Sequence, residues 1–297
     1  MTTANKLQKQ EKWSGLLFIT PMMLGFLVFV FIPIAAAIVI SLYNWTLITD
    51  SSFIGLDNYK EVLTHDPTFW KVFKNTFVFS AGLVPFNISL ALILAVILKQ
   101  RLFGIGFFRT AFFTPVVTSM VVWAIVWKYI FATENGFVNQ MLSMIGIEGP
   151  AWLYNVQLTM PVVILISALK TVGMNMVIFL AALHNVPALY YESAKIDGAS
   201  RWVLFSRITL PLITPSIFMV LILTLVGSLK VFGQIYVVTQ GGPGTSTSVL
   251  VYYIYMLAFQ FYKFGYASAV AFILFFIILC LTIFQWQVRK RWVHYEQ

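Results

Sequence analysis

Polar side chains interrupt two long apolar segments of this sequence, and they are the residues best placed to bind a ligand. Thr171 and Asn175 are four residues apart in one segment, as are Lys230 and Gln234 in another, so in helices each pair shares one face. Ammonium, hydroxyl and amide groups supply the hydrogen bonds that a hydroxyl-rich solute needs. The pattern predicts a polar wall of a translocation pathway, formed by Lys170, Thr171, Asn175, Lys230, Gln234 and Tyr236.

The same residues have a second interpretation. Polar side chains in apolar helices also form hydrogen bonds between helices, and a lysine can extend its ammonium to the membrane surface. At 1.5 Å per residue, Lys170 lies ~18 Å inside its segment and Lys230 ~12 Å. We therefore expect Lys170 to face a cavity, and both interpretations stay open for Lys230. Tyr236 could stack on a ring of the ligand or simply pack against its neighbours.

Other kinds of chemistry find little support in the sequence. No acidic residue lies inside a predicted span, whereas proton-driven carriers usually route protons through buried carboxylates or histidines. No nucleophile–base pair, metal-ligand spacing or Walker-type ATP motif is recognisable. The single cysteine, Cys280, excludes an internal disulfide. We expect no catalytic, cofactor-binding or metal-binding residues in this chain, and no enzymatic activity of its own.

Composition predicts an all-α integral membrane protein. Of 297 residues, 60% are apolar and only 10% are charged, against about 25% in soluble proteins. A membrane-spanning helix needs about 20 residues. Six runs are long enough, and we predict one transmembrane domain over 1–297 with spans near 16–42, 76–98, 110–131, 158–183, 212–238 and 266–288.

The distribution of lysine and arginine predicts the orientation of these spans. Basic residues cluster in the N-terminal segment, the connection at 99–109, the stretch 185–215 and the C-terminal tail. Because cytoplasmic loops of membrane proteins are enriched in such residues, we expect both termini and 185–215 on the cytoplasmic side. The net charge of +9 is thereby explained without a nucleic-acid partner.

The stretch 185–215 is too charged to lie in lipid. Pro187 precedes good helix formers, and Asp197–Gly198 then breaks the run. We expect Asp197 to cap a second, amphipathic helix from Ala199 to Thr209. Small residues at the corner would allow another backbone to approach closely. The sequence thus predicts a pair of cytoplasmic helices between spans four and five that forms a docking surface.

This stretch resembles the "EAA" loop of permease subunits in binding-protein-dependent ABC importers. The resemblance rests on Glu192-Ser193-Ala194, Asp197-Gly198-Ala199, Ile208-x-Leu210-Pro211 and Pro215. Ser193 stands where the family usually has Ala. The external stretches 53–59 and 239–247, with Gly241-Gly242-Pro243, resemble the sugar-uptake branch. By this resemblance, contact with an ATPase falls to Glu192, Ser193, Ala194, Asp197, Gly198, Ala199 and Arg201.

The resemblance also implies a setting and partners. It implies a multi-pass protein of the bacterial plasma membrane, in contact with lipid, that forms part of the pathway for a sugar or oligosaccharide. Its partners would be a second homologous permease, two ATPase subunits that hold the ATP and Mg²⁺, and an extracellular solute-binding protein. Alternatives are uptake of glycerol-3-phosphate or another polyol, an ion-coupled secondary carrier, and a structural or signalling membrane subunit without a substrate.

Overall fold

The computed structural model describes residues 3–46, 51–100 and 103–292, and these residues are mostly helical. A two-stranded antiparallel sheet pairs β1 (Tyr43–Asn44) with β2 (Ser52–Phe53). The α-helices are α1 Thr3–Phe26, α2 Ile32–Ser41, α3 Asp57–Thr64, α4 Pro67–Leu98, α5 Ile105–Val117, α6 Met120–Ile130, α7 Phe137–Met144, α8 Thr159–Asn185, α9 Ala188–Ile196, α10 Arg201–Val203, α11 Leu210–Leu212, α12 Thr214–Leu229, α13 Leu250–Tyr255 and α14 Phe264–Trp292. Short π-helical turns occupy Leu27–Phe31, Leu204–Thr209, Ile235–Thr239 and Met256–Gln260.

The described residues contain four helices that are long and apolar enough to cross a membrane. The number rises to as many as six if each of two pairs of helices, bent at a short break, is counted as one span. The continuous helices are Lys12–Ser41, Pro67–Leu98, Thr159–Asn185 and Phe264–Arg289. They overlap the spans expected at 16–42, 76–98, 158–183 and 266–288. Helix α4 begins earlier than expected because the Asp66 carboxylate accepts hydrogen bonds from the backbone N–H groups of Thr68 and Phe69, which caps the helix at Pro67.

The third expected span, 110–131, is bent and is not one continuous helix. Helices α5 and α6 meet at an angle of 106°. Thr118 and Ser119 between them have extended backbone conformations. Pro115, near the end of α5, has no amide hydrogen to donate to the preceding turn, which weakens the helix at this point.

The fifth expected span, 212–238, is also broken. Helix α12 ends at Leu229, and helical structure resumes only at Gly233 before the π-turn Ile235–Thr239. The last turn of α12 closes with hydrogen bonds between residues three apart, from the amide of Lys230 to Gly227 O and from that of Val231 to Ser228 O. At its other end, α12 forms an angle of 66° with the helical segment Arg201–Leu212.

By contacts between residues the chain divides into two units, and the larger consists of Asp66–Tyr253 and Ile273–Gln297. Its core is the packing of α4 on α8, with α5 and α12 beside them. Ala91 and Ala95 of α4 are fully buried, as are Met176 and Phe179 of α8. At Gly173 a Cβ atom would meet the backbone of Phe112, so α8 and α5 pack in direct backbone contact.

The other unit consists of Met1–His65 and Ile254–Phe272. The carboxamide of Asn58 in α3 donates to the carbonyl oxygens of Ser41 and Tyr43, at 2.8 and 3.0 Å, which fixes α3 against the end of α2. The amide of Gly265 bonds to Trp45 O at 3.2 Å. No residue in the most apolar part of the helix Lys12–Ser41 is buried within this chain. An exposed apolar helix surface of this kind is suited to contact with lipid.

Candidate functional site

A cavity of about 650 Å³ opens in the larger unit where the two helix breaks meet α4 and α8. Five of the six residues predicted to form a polar wall line it, namely Lys170, Thr171, Asn175, Lys230 and Gln234. The sixth, Tyr236, does not line the cavity. Its ring instead stacks on Phe232, with centroids 5.4 Å apart, and Phe232 does line the cavity.

Three helices are joined by hydrogen bonds at the side of this cavity. The carboxamide nitrogen of Asn175 donates to Asn87 Oδ1 at 2.6 Å and to Thr224 Oγ1 at 3.0 Å. The carboxamide nitrogen of Asn87 donates to Thr171 Oγ1 and to the carbonyl oxygen of Ala168, both at 2.9 Å. Asn87 is fully buried, and Asn175 is 6% exposed. Asn175 therefore forms interhelical hydrogen bonds and also lines the cavity.

Lys170 holds the break between α5 and α6. Its ammonium donates to the carbonyl oxygens of Thr118 at 2.6 Å and Val116 at 3.3 Å, and also to that of Pro115. A helix end leaves its last carbonyl groups without intrahelical partners, and a cation there is also favoured by the helix dipole. Because a lysine has three N–H donors, these three acceptors use them all.

Lys230 lies at the second break and differs from Lys170. It is the C-cap residue after Leu229, the last residue of α12, and its side chain is exposed at the cavity wall. Within 3–46, 51–100 and 103–292, the structure gives its ammonium no hydrogen bond or ion pair. Gln234 lies beyond the break, so the two residues do not share one helix face as the spacing predicted, although both line the cavity.

The charged stretch forms a helical hairpin with a defined corner. Helix α9 carries Glu192, Ser193 and Ala194 and ends at Ile196. The amide of Gly198 then bonds to Lys195 O at 3.0 Å and that of Ala199 to Ala194 O at 2.9 Å, with Gly198 at φ +76°. This is the Schellman arrangement, which requires a left-handed residue and favours glycine.

The second helix of the hairpin begins later than expected. It starts at Arg201 and continues through the π-turn Leu204–Thr209. Its cap is Ser200, whose hydroxyl accepts a hydrogen bond from the amide of Val203, so the prediction that Asp197 caps this helix is wrong. Asp197 is instead the C-cap of α9, and its amide bonds to Ser193 O at 3.2 Å.

The residues assigned to contact with an ATPase are mostly exposed. Glu192, Ser193, Asp197, Gly198 and Arg201 are exposed, and Ala194 and Ala199 are half-buried. Apolar side chains accompany them, since Ile196 is 87% exposed and Trp202 is 72% exposed. A surface that combines charges, exposed apolar groups and a glycine corner is suited to contact with another protein.

Sequence reasoning missed residues that position both features. Asn87 lies at the centre of the hydrogen-bonded network, and an asparagine within the second apolar run is a signal that could have identified it. Tyr191 anchors α9, because its hydroxyl hydrogen-bonds Thr209 Oγ1 at 2.9 Å while the ammonium of Lys99 lies 5.0 Å from its ring centroid. No local sequence signal distinguishes Tyr191 from its neighbour Tyr190.

Comparisons with known proteins agree on one family. Residues 87–294 match the family described as "Binding-protein-dependent transport system inner membrane component". The chain is similar to the probable ABC transporter permease protein YesP of Bacillus subtilis strain 168, with 36% identity that covers 97% of this chain and 94% of YesP. It is also similar to the lactose transport system permease protein LacF of Rhizobium radiobacter, with 35% identity that covers 97% and 98% of the two chains.

A solved structure has the same fold. It is the crystal structure of a bacterial alginate ABC transporter in complex with an alginate pentasaccharide-bound periplasmic protein. One of its chains matches with a TM-score of 0.84 and 26% identity, covering 95% of this chain and 96% of that one. The resemblance carried by the "EAA" stretch is thereby confirmed. This chain is a multi-pass plasma-membrane protein that belongs to the family of inner membrane components of binding-protein-dependent transport systems.

Proposed function

We propose that this chain is one permease subunit of an ATP-driven importer for a sugar or oligosaccharide. Membership of the family makes it a transport subunit of an ABC system. Two relatives support a sugar as the substrate. LacF, whose alignment covers 97% of this chain, is named as the permease of a lactose transport system, and the solved relative is an alginate transporter.

The observation that carries the proposal is the cavity between the two broken helices. It is large enough for a small ligand, since such sites usually measure about 300–1,000 Å³. Hydroxyl, carboxamide and ammonium groups of Ser167, Thr171, Asn175, Lys230 and Gln234 lie along apolar surface from Phe232 and Leu223. The polar groups can replace the hydrogen bonds to water that a hydroxylated ligand loses on binding. The apolar side chains can contact the apolar faces of sugar rings.

The proposed topology has six spans in a single transmembrane domain over 1–297. Each bent pair counts as one span, so that α5 with α6 forms the third and the segment that contains α12 forms the fifth. Both termini and the loop 185–215 lie in the cytoplasm, as the lysine and arginine distribution favours. The residues at the extreme termini, 1–2 and 293–297, lie outside the described residues.

Energy reaches the pathway through the helical hairpin. Glu192, Ser193, Ala194, Asp197, Gly198, Ala199 and Arg201 contact an ATPase subunit, which binds the ATP and Mg²⁺. Two such ATPases, a second permease and an extracellular solute-binding protein complete the importer. The support is the exposure of this surface together with its rigid corner at Gly198.

Uptake measured in cells tests this function. Deletion of the gene for this chain should abolish uptake of a labelled sugar from a panel of lactose, trehalose, arabinotriose and digalacturonate, and restoring the chain should restore that uptake. Collapse of the proton gradient at constant ATP should leave it intact, because ATP supplies the energy. Uptake that persists without this chain, or that stops with the proton gradient alone, contradicts the proposal; the second result would indicate the ion-coupled carrier.

A further inference from the structure

We propose that the cavity takes an acidic saccharide and that the ammonium of Lys230 pairs with a carboxylate of that ligand. This inference rests on the proposed function and narrows its substrate class. It starts from the charges of the cavity wall. The lining contains Lys170 and Lys230, and among the described residues that form it there is no aspartate or glutamate. The cavity is therefore positive.

The two lysines are not equivalent in their capacity to bind a ligand. The three donors of Lys170 are taken by the carbonyl groups of Pro115, Val116 and Thr118. The ammonium of Lys230 has no such acceptors among the described residues, and its side chain is exposed in the cavity. A ligand therefore meets one available cation here. A carboxylate is its natural partner, because a charge-assisted hydrogen bond is about twice as strong as a neutral one.

The rest of the lining suits a sugar ring that carries this carboxylate. Thr171 and Gln234 offer hydroxyl and carboxamide groups to ring hydroxyls, and Phe232 and Met120 offer apolar surface to the carbon-bound hydrogens. A phosphorylated ligand fits less well. Phosphate sites often use arginine forks, and this lining has no arginine among the described residues.

Lys230 also has a role that needs no ligand. A cation at a helix C-terminus stabilises that helix, whatever lies in the cavity. That role predicts a loss of stability when the charge is removed, with no change in the relative binding of charged and neutral sugars. The preference for the charged form is therefore the quantity to measure.

The experiment compares an acidic disaccharide with its uncharged ester, and adds glycerol-3-phosphate as a phosphorylated ligand. The importer, with its partner subunits but without the binding protein, is placed in lipid nanodiscs, and binding is measured for digalacturonate, its dimethyl ester and glycerol-3-phosphate. The wild type should bind digalacturonate about tenfold more tightly than the ester, equivalent to about 1.4 kcal/mol. Raised salt should reduce this difference, because mobile ions screen the pairing.

Variants assign the preference to Lys230. Lys230→Gln should remove the tenfold difference and Lys230→Arg should keep most of it. Lys74→Gln, which removes an exposed lysine that does not line this cavity, should leave the difference intact. Equal binding of acid and ester by the wild type overturns the inference, as does a preference that survives Lys230→Gln. Tighter binding of glycerol-3-phosphate than of digalacturonate overturns it in favour of a phosphorylated polyol.

Two further outcomes separate this inference from the function on which it rests. If Lys230→Gln weakens binding of acid and ester equally, Lys230 supports the fold or a partner subunit and the inference is wrong. If cells take up neutral sugars through this chain while digalacturonate binds no better than its ester, the sugar importer stands and only the acidic substrate class is lost. Absence of uptake for every sugar of either charge removes both.

Discussion

The ammonium of Lys170 lies 2.6 Å from the carbonyl oxygen of Thr118, inside the break between α5 and α6. The ammonium of a lysine in one apolar segment thus hydrogen-bonds the carbonyl groups at a helix break in the neighbouring segment. The break leaves carbonyl groups without amide partners, and the ammonium of the lysine supplies N–H donors to them. The polar wall and the bent span are one feature of this protein.

Lys170→Met should destabilise the protein. It leaves the carbonyl groups of Pro115, Val116 and Thr118 without these donors, at a cost of about 1–3 kcal/mol for each that stays buried and unpaired. Lys170→Arg should lose less, since it keeps the charge. Thermal unfolding in lipid nanodiscs measures the effect, with Lys74→Met as the matched exposed lysine. Wild-type stability of Lys170→Met would show that the three hydrogen bonds are unimportant.

Asn87 and Asn175 should behave as one unit. Asn175→Leu keeps the side-chain size but removes both amide functions, and uptake per membrane-inserted molecule should fall about tenfold, or about 1.4 kcal/mol. The double variant Asn87→Leu with Asn175→Leu should lose less stability than the sum of the single variants, by about 0.5–3 kcal/mol, because either single change already breaks the hydrogen bond between the two side chains. Strict additivity in unfolding experiments would contradict the network. Unchanged uptake per inserted molecule would leave Asn175 with a packing role alone.

Gly198 should be required for docking as well as for the turn. Gly198→Asn can keep the left-handed backbone, and within this chain its Cβ would meet nothing within 4 Å. We expect uptake to be lost nonetheless, and lost also in Gly198→Asp, because the added side chain obstructs the ATPase. Gly104 has φ +77° and equally open space but lies outside the hairpin, so Gly104→Asn carries the same backbone cost and should transport normally. Normal uptake by Gly198→Asp would rule out docking at this corner.

The orientation predicts which positions face the outside. In a Cys280→Ala background, cysteine at Glu134 should react with a membrane-impermeant maleimide applied to intact cells, and cysteine at Lys195 should react only after the membrane is opened. Both native side chains are exposed, so access within the chain does not distinguish them. Labelling at 195 in intact cells would place the hairpin outside and remove its contact with an ATPase.

The helices at the continuous spans were predictable because hydropathy and length are local properties of the sequence. The corner at Gly198 was predictable for the same reason, since Asp-Gly after a run of helix formers is a local stop signal. The grouping of Lys170, Thr171 and Asn175 at one cavity also followed from their positions in α8.

The helix breaks were not predictable in the same way. The segment from Thr110 to Phe131 is largely apolar, and the donor to its freed carbonyl groups at the 106° bend is Lys170, some fifty residues away along the chain. The position of Tyr236 was also not predictable, because Tyr236 lies past the break at Lys230. Its ring packs on Phe232 and does not line the cavity. The choice of Ser200 over Asp197 as a cap was decided by the Schellman bonds of the preceding helix.

The most direct measurement is ATP hydrolysis by the purified importer in proteoliposomes, with this chain present or omitted. With all subunits, sugar-loaded binding protein should stimulate hydrolysis several-fold and drive labelled sugar across the membrane. The Gly198→Asp importer should assemble and bind ATP, yet show neither stimulation nor sugar transport. Sugar transport without ATP, or full stimulation in the absence of this chain, would contradict its assignment as the permease subunit of a sugar importer.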